Sequence, residues 1–308
     1  MFRAMRILAA TCVLCASASL TAQSAPDHAA TERSAASGQS QAGGNDIVVT
    51  GKHAQATSSG EVYDEARAIT RVGRYETYVV ALPRFWSPVC PGVFGLHESY
   101  AEAMVERMRD NIRRLKIPLA KDGCSPNLVV GFAEDGKALL ADLKRDRPEV
   151  FGSLPESEQA EMLADTGPVR VWNNIAPRWT GASAPPRDWL HASVWGQLDR
   201  TSMPVSYDIV GALVVFDGKA VIGMSLAQLA DYATMRGLSH TRPASSAHPM
   251  ATILSLFDEE GADPAELTRF DLGYLRSLYW DRPNASAANK LVSVNHWIRH
   301  ATKSAGDR

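Results

Sequence analysis

Two cysteines, Cys90 and Cys124, bracket the clearest amphipathic helix in this 308-residue sequence, and a strand-like run follows the second of them. If bridged, they hold the loop before the helix against the start of that strand. Strand, helix and loop must then fold as one unit. The helix is predicted over Glu98 to Leu115, where Ala101, Met104, Val105, Met108, Ile112 and Leu115 share one stripe at three- and four-residue spacing. The strand is predicted over Asn127 to Phe132. Arg109, Arg113, Arg114 and Lys116 crowd the last helical turns, where positive charge complements the carbonyl end of the dipole. They read as a solvated helix end, with a basic binding site as the alternative.

Whether the two cysteines pair depends on the compartment. The opening "MFRAMRILAATCVLCASASLTA" sets Arg3 and Arg6 before an apolar run, Ile7 to about Leu20, and then small residues. That order is a secretory signal peptide, here residues 1–22. The run is too short for a membrane-spanning helix, which needs about 20 residues. Cys12 and Cys15 leave with the signal, so Cys90 and Cys124 remain. An oxidising compartment is expected to join them, free buried thiols being the alternative. The mature chain is therefore expected to be periplasmic or secreted, with no integral membrane segment after signal cleavage.

Residues 23–60 are rich in Ala, Ser, Gln, Gly and Thr, and cannot bury enough apolar surface to offset the entropy of ordering them. They read as a flexible linker with one interruption, "DIVVTG": Asp46, Ile47, Val48, Val49, Thr50 and Gly51. This hexapeptide resembles the TonB box of TonB-dependent outer-membrane receptors. The resemblance implies an envelope partner, met by adding an extended segment to a sheet edge. The chain is too short for a receptor barrel and lacks its repeated alternating strands.

Residues 61–308 carry the globular region. A net charge of -2 with acids and bases interspersed gives no basic face for nucleic acid. At 45% hydrophobic residues, the chain has enough apolar side chains for a core. A strand is predicted from about Tyr75 to Leu82, and helices over Lys137 to Lys144 and Pro155 to Ala164. "GPVRVWNN" reads as a strand and "APRWTGASAPPRDW" as an irregular excursion. Trp172, Trp179, Trp189 and Trp195 read as core aromatics, or else as the lining of a ligand groove. Further strands are expected in "LHASVWGQL", "PVSYDIV" and "GALVVFDGKAVIG", the last as a hairpin turning at Asp217-Gly218. The pattern predicts an α+β fold, with a mixed or antiparallel sheet and helices packed around it.

Chemistry, if any, is expected near "GMSLAQLADYATMRGLSH". Gly223-Met224-Ser225-Leu226-Ala227 approaches the G-x-S-x-G nucleophile elbow, which makes Ser225 a candidate catalytic serine. Ser225 and Gln228 also form an S-x-x-Q capping box, and that structural role is favoured. Gly237 is expected just beyond the helix, in a left-handed conformation.

Aligned on Gly237, the segment resembles the H-E-x-x-H-x-x-G-x-x-H motif of metzincin zinc peptidases. Ala230 and Thr234 then stand where the two helical imidazoles belong, Asp231 at the catalytic glutamate and His240 at the third ligand. Downstream Leu267, Asp271, Leu275, Leu278 and Tyr279 are similar to the matrixin tail. The resemblance implies a degenerate zincin-like scaffold. One imidazole and one carboxylate do not make a hydrolytic zinc site, which needs three protein ligands and an open position. Metal and cofactor are therefore not expected, although His240 stays a candidate ligand and Asp231 a candidate catalytic residue. His97, His191, His248, His296 and His300 are otherwise scattered, with His296 and His300 one helical turn apart. The expected function is a non-catalytic binding or accessory role in the cell envelope. The alternatives are a hydrolase using Ser225 or an unrecognised metal site, and a TonB-associated partner acting through residues 46–51.

Overall fold

The thirteen-residue strand β5 (Val205–Asp217) organises the sheet, because it is paired along both edges. In the computed structural model, which describes residues 58–73, 76–151, 156–179, 203–245, 250–261 and 263–306, the first strand is β1 (Arg84–Phe85). It lies parallel to the early part of β5, with Arg84 opposite Asp208. Strand β2 (Pro91–Phe94) pairs in parallel with β3 (Leu128–Ala133), and β3 pairs in parallel with the later half of β5, from Leu128↔Ala212 to Ala133↔Asp217. On the opposite edge β4 (Val169–Trp179) runs antiparallel to β5, with an irregularity between Asn174 and Ile175. The sheet is thus open, mixed and mostly parallel, within an α+β fold. The segments at 46–51, 180–202 and 246–249 lie outside the described residues, and with them the TonB-box-like hexapeptide, Trp189, Trp195, His191, His248 and the run "LHASVWGQL".

Parallel pairing of β2 with β3 requires a crossover, and helix α2 (Glu98–Arg114) supplies it. Its apolar stripe buries Met104, Met108 and Ile112 completely. The helix stops at Lys116, whose φ of 55° is left-handed. Lys116 N–H donates to Arg113 O and Ile117 N–H to Ile112 O, the double bond pattern of a Schellman cap. Cys90 and Cys124 are joined in a disulfide, as expected, and so tie the chain before β2 to the loop before β3. Helix α1 (Ser59–Ile69) begins inside the last residues assigned to the linker, fixed by a Ser58/Glu61 capping box.

Helices α3 (Gly136–Asp146) and α4 (Glu156–Ala164) cover the other face, where Leu140, Phe151, Trp172 and Val215 make a separate small core. Trp172 stacks on Phe151 at 4.3 Å between centroids, so this tryptophan is a core aromatic as predicted. Helix α5 (Leu226–Leu238) packs against the sheet beside α2. Helices α6 (Arg269–Trp280) and α7 (Ala287–Gly306) pack on each other, and α7 reaches α1.

Three local expectations are corrected. The hairpin at Asp217-Gly218 does not form: β5 already has β3 on one edge and β4 on the other, which leaves no edge for a returning strand. The chain instead makes two turns, with Ala220 N–H bonded to Asp217 O and Met224 N–H to Val221 O, and leaves Ile222 81% exposed. The strand expected over 75–82 is replaced by a short 3-10 turn at Glu76–Tyr78 and an isolated bridge from Ala81 to Ser286, and pairing within the sheet begins after Pro83, at Arg84. Tyr78 and Val79 are exposed while Ala81 and Leu82 are both buried, which is not the alternation of a strand.

Gly237 does not end the helix. It sits inside α5 with ordinary helical backbone, where a Cβ would come 2.2 Å from Leu128 Cδ1. Its role is close approach of α5 to the sheet. Gly237→Ala is expected to destabilise by about 1–3 kcal/mol by overpacking, despite the better helix propensity of alanine. Chemical denaturation of the two proteins measures it.

Candidate functional site

Asp231 is the carboxylate that the metzincin resemblance places at the catalytic glutamate, and it is fully buried. Its Oδ1 accepts from Arg107 Nε at 2.8 Å and Asn111 Nδ2 at 2.6 Å. Its Oδ2 accepts from Arg107 Nη2 at 2.7 Å and from the Leu267 backbone N–H at 2.8 Å. Four donors therefore fill the carboxylate and tie α5 to α2 and to the chain entering α6. Hydrogen bonding to Asp231, against the opposing effect of burial, pushes the Arg107 guanidinium above its usual range. Ala230 and Thr234, at the positions of the two helical imidazoles, are equally buried, and the Thr234 hydroxyl donates to Ala230 O.

The matrixin-like tail is structural in the same way. Leu267, Leu275 and Leu278 are core residues. Asp271 caps α6 through Thr268 and accepts from the Thr252 hydroxyl and the Ile253 N–H. Burial pushes its carboxyl up, against these hydrogen bonds. The Tyr279 hydroxyl donates to Leu238 O at 2.8 Å and accepts from Phe85 N–H at 3.1 Å, joining the end of α5 to β1.

Ser225 forms the predicted capping box. Its Oγ accepts from Gln228 N–H at 3.2 Å and lies 3.0 Å from Gln228 Oε1, while Gln228 Nε2 donates to Asp263. Two turns separate it from β5, unlike a nucleophile placed directly at a strand end. Two of the four basic residues at the end of α2 meet acids, Arg113 with Glu106 and Asp110 and Arg109 with Asp122, while Lys116 lies over the Trp280 ring. His296 and His300 lie one turn apart on α7 with their rings tilted at 51° and centroids 4.2 Å apart, and His97 pairs with Ser99. Among the described residues no three His, Cys, Asp or Glu side chains come together in a way that could hold a metal ion.

His240 lies half-buried in the loop that follows α5. The extended chain after α5 lies against the chain after α1: Arg71 N–H donates to His240 O, Arg242 N–H donates to Ile69 O, and Thr70 bridges to Thr241. This pairing places Arg71, His240 and Arg242 on one wall of a cavity of about 780 Å³, facing Asn173 of β4. That size is within the usual range for small-molecule sites. Asn173 Nδ2 donates to Gly237 O at 3.2 Å, so its Oδ1 is left to face His240 Nδ1 at 3.4 Å. Met162, Val171 and Trp172 give an apolar side, and Asp165 lies at the rim with its Oδ1 taken by Gly167 N–H. No local motif marks this group beyond the His-x-Arg spacing of residues 240 and 242, which puts both on one side of an extended segment.

The cavity wall is cationic. Burial first, then the charges of Arg71, Arg236 and Arg242, pull the His240 imidazole down to about 4. It is therefore neutral at pH 7. Arg236, 2% exposed on α5, bonds the Tyr232 hydroxyl at 2.8 Å through Nη1, and its Nε has no partner. Arg242 Nη2 donates to Thr70 O. Among the described residues neither Arg236 nor Arg242 meets a carboxylate.

A depressed histidine gives stability a defined pH slope. The native protein leaves His240 unprotonated between about 4 and the unfolded value of 6.5, while the unfolded chain takes up the proton. Stability should fall as pH drops through 6.5 towards about 4, then stop changing on this account. The loss is about 2–3 kcal/mol, allowing for solvent in the cavity. Urea midpoints across that window should show the slope in the wild type and a flatter profile in His240→Gln.

Comparison with protein-family models, with characterised proteins and with solved structures finds no match to this chain.

Proposed function

We propose that the chain is an exported protein of the periplasm or extracellular space that works by binding rather than by hydrolysis, on a scaffold similar to a metzincin whose zinc positions have become part of the core. The disulfide and the absence of a membrane-spanning helix among the described residues are compatible with that compartment. One observation carries the functional reading: Asp231, the residue aligned with the catalytic glutamate, spends both oxygens on four internal donors and has no exposed surface. A general base must reach a water or a substrate proton, which this carboxylate does not.

The test uses mature protein produced in zinc-supplemented medium. Metal analysis should find zinc well below one equivalent, and a serine-reactive fluorophosphonate should leave the protein unlabelled. Stoichiometric, tightly held zinc would overturn the reading, as would labelling that Ser225→Ala abolishes.

A further inference from the structure

The cationic cavity has the composition of a site for one class of ligand. Two guanidinium groups, Arg71 and Arg242, lie on the same wall as His240, while Met162, Val171 and Trp172 supply apolar surface. Arg236 adds a third positive charge from behind, close enough to act on the same imidazole. A buried cation without an acidic partner is costly, and proteins rarely keep one unless something complements it. Arg236 has one neutral hydrogen-bond partner and an unpartnered Nε, so its charge is left uncompensated by the described residues. Among the described residues of the lining Asp165 is the one carboxylate, its Oδ1 accepting from the Gly167 amide, and its single negative charge stands against the three guanidinium groups. An excess of fixed positive charge around a concave space selects an anion.

We propose that this cavity binds a small organic carboxylate, its head group held between Arg71 and Arg242 beside His240 and Asn173, and its apolar body against Met162, Val171 and Trp172. Guanidinium forks match the planar carboxylate with paired donors. Asn173 orients the imidazole through Nδ1, which leaves the other ring nitrogen able to take a proton when an anion arrives. Ligand binding and protonation of His240 are then coupled, so affinity rises as pH falls below neutrality. Arg71, Asp165, Arg236 and Arg242 are the charged groups around the imidazole that set this coupling.

The inference rests on the chain being a binding protein, and the two ideas fail separately: serine labelling, or bound zinc that leaves the His240 signal unmoved, would defeat the first alone. The experiment titrates mature protein carrying isotope-labelled histidine with 3-phenylpropionate and with its neutral amide, at constant ionic strength, and follows the His240 ring resonances by NMR. His240→Gln assigns the signal. The acid should give a saturable shift of that signal and the amide none. Arg71→Gln and Arg242→Gln should each weaken binding at least about tenfold, as loss of a charged hydrogen bond implies. Thermal unfolding of both variants shows that they are folded. An equal response to acid and amide would overturn the proposal, as would no saturable shift up to about 50 mM acid or wild-type affinity in both folded arginine variants. Tighter binding of inorganic phosphate than of the carboxylate would overturn the assignment of ligand class.

Discussion

Asp231→Ala is expected to lower the stability of the mature protein by about 3–5 kcal/mol, read as a shift of the urea midpoint. The size follows from what is left behind. Asn111 is 2% exposed and Leu267 2% exposed, so the Leu267 N–H loses its acceptor without access to water and the Asn111 amide keeps only a long bond of 3.4 Å to Thr234 Oγ1. Arg107 keeps Glu266 at 3.3 Å as a second, exposed partner, which limits the loss on that side. Each stranded buried donor costs about 1–3 kcal/mol. Asp231→Asn should cost less, because one oxygen can still accept from two of the donors. The sign separates a structural carboxylate from a catalytic one. Catalytic groups are often held at a cost to the fold, and removing them is neutral or stabilising. An Asp231→Ala protein at least as stable as wild type would reopen the catalytic reading of α5.

Asp231 shows where sequence reading stops. Its helix, the capping box at Ser225 and the apolar stripe of α2 were all legible, because each is written in residues three or four apart. Three of the four hydrogen bonds that fix Asp231 come from Arg107 and Asn111 on α2, more than a hundred residues earlier, and nothing local announces them. The same holds for the cavity: Arg71, Asn173, His240 and Arg242 come from the ends of α1 and α5 and from the sheet edge. Errors arose where tertiary pairing overrode a local signal. Asp217-Gly218 carries the chemistry of a hairpin turn, but both edges of β5 were already occupied. Asp217 instead accepts from Arg170 and from the Gly136 N–H, locking the end of β5 to α3. Gly237 has the chemistry of a helix stop, yet what fixes it is the closeness of Leu128 on β3.

The second large effect concerns the disulfide, whose removal in a Cys90→Ser, Cys124→Ser double variant is expected to cost about 3–4 kcal/mol. A separation of 34 residues sets the entropy that the bridge removes from the unfolded chain, about 4 kcal/mol by loop closure. The native side should change little. Asn127 and Leu128 N–H groups both donate to Cys90 O, Asn127 Oδ1 accepts from Cys90 N–H at 2.7 Å, and Val89 N–H donates to Pro118 O. These bonds hold the ends of the β2–α2–β3 unit without the sulfurs. The double variant should therefore keep the far-ultraviolet dichroism of the wild type in the cold, with a lower denaturation midpoint. Its urea m-value should rise, because the unfolded chain expands once released. The pair of readings identifies the state on which the bridge acts. A lower midpoint with an unchanged m-value would put the loss in the native contacts instead. An unchanged midpoint would mean that the unfolded chain already keeps those ends together through residual structure, so that the bridge adds no constraint.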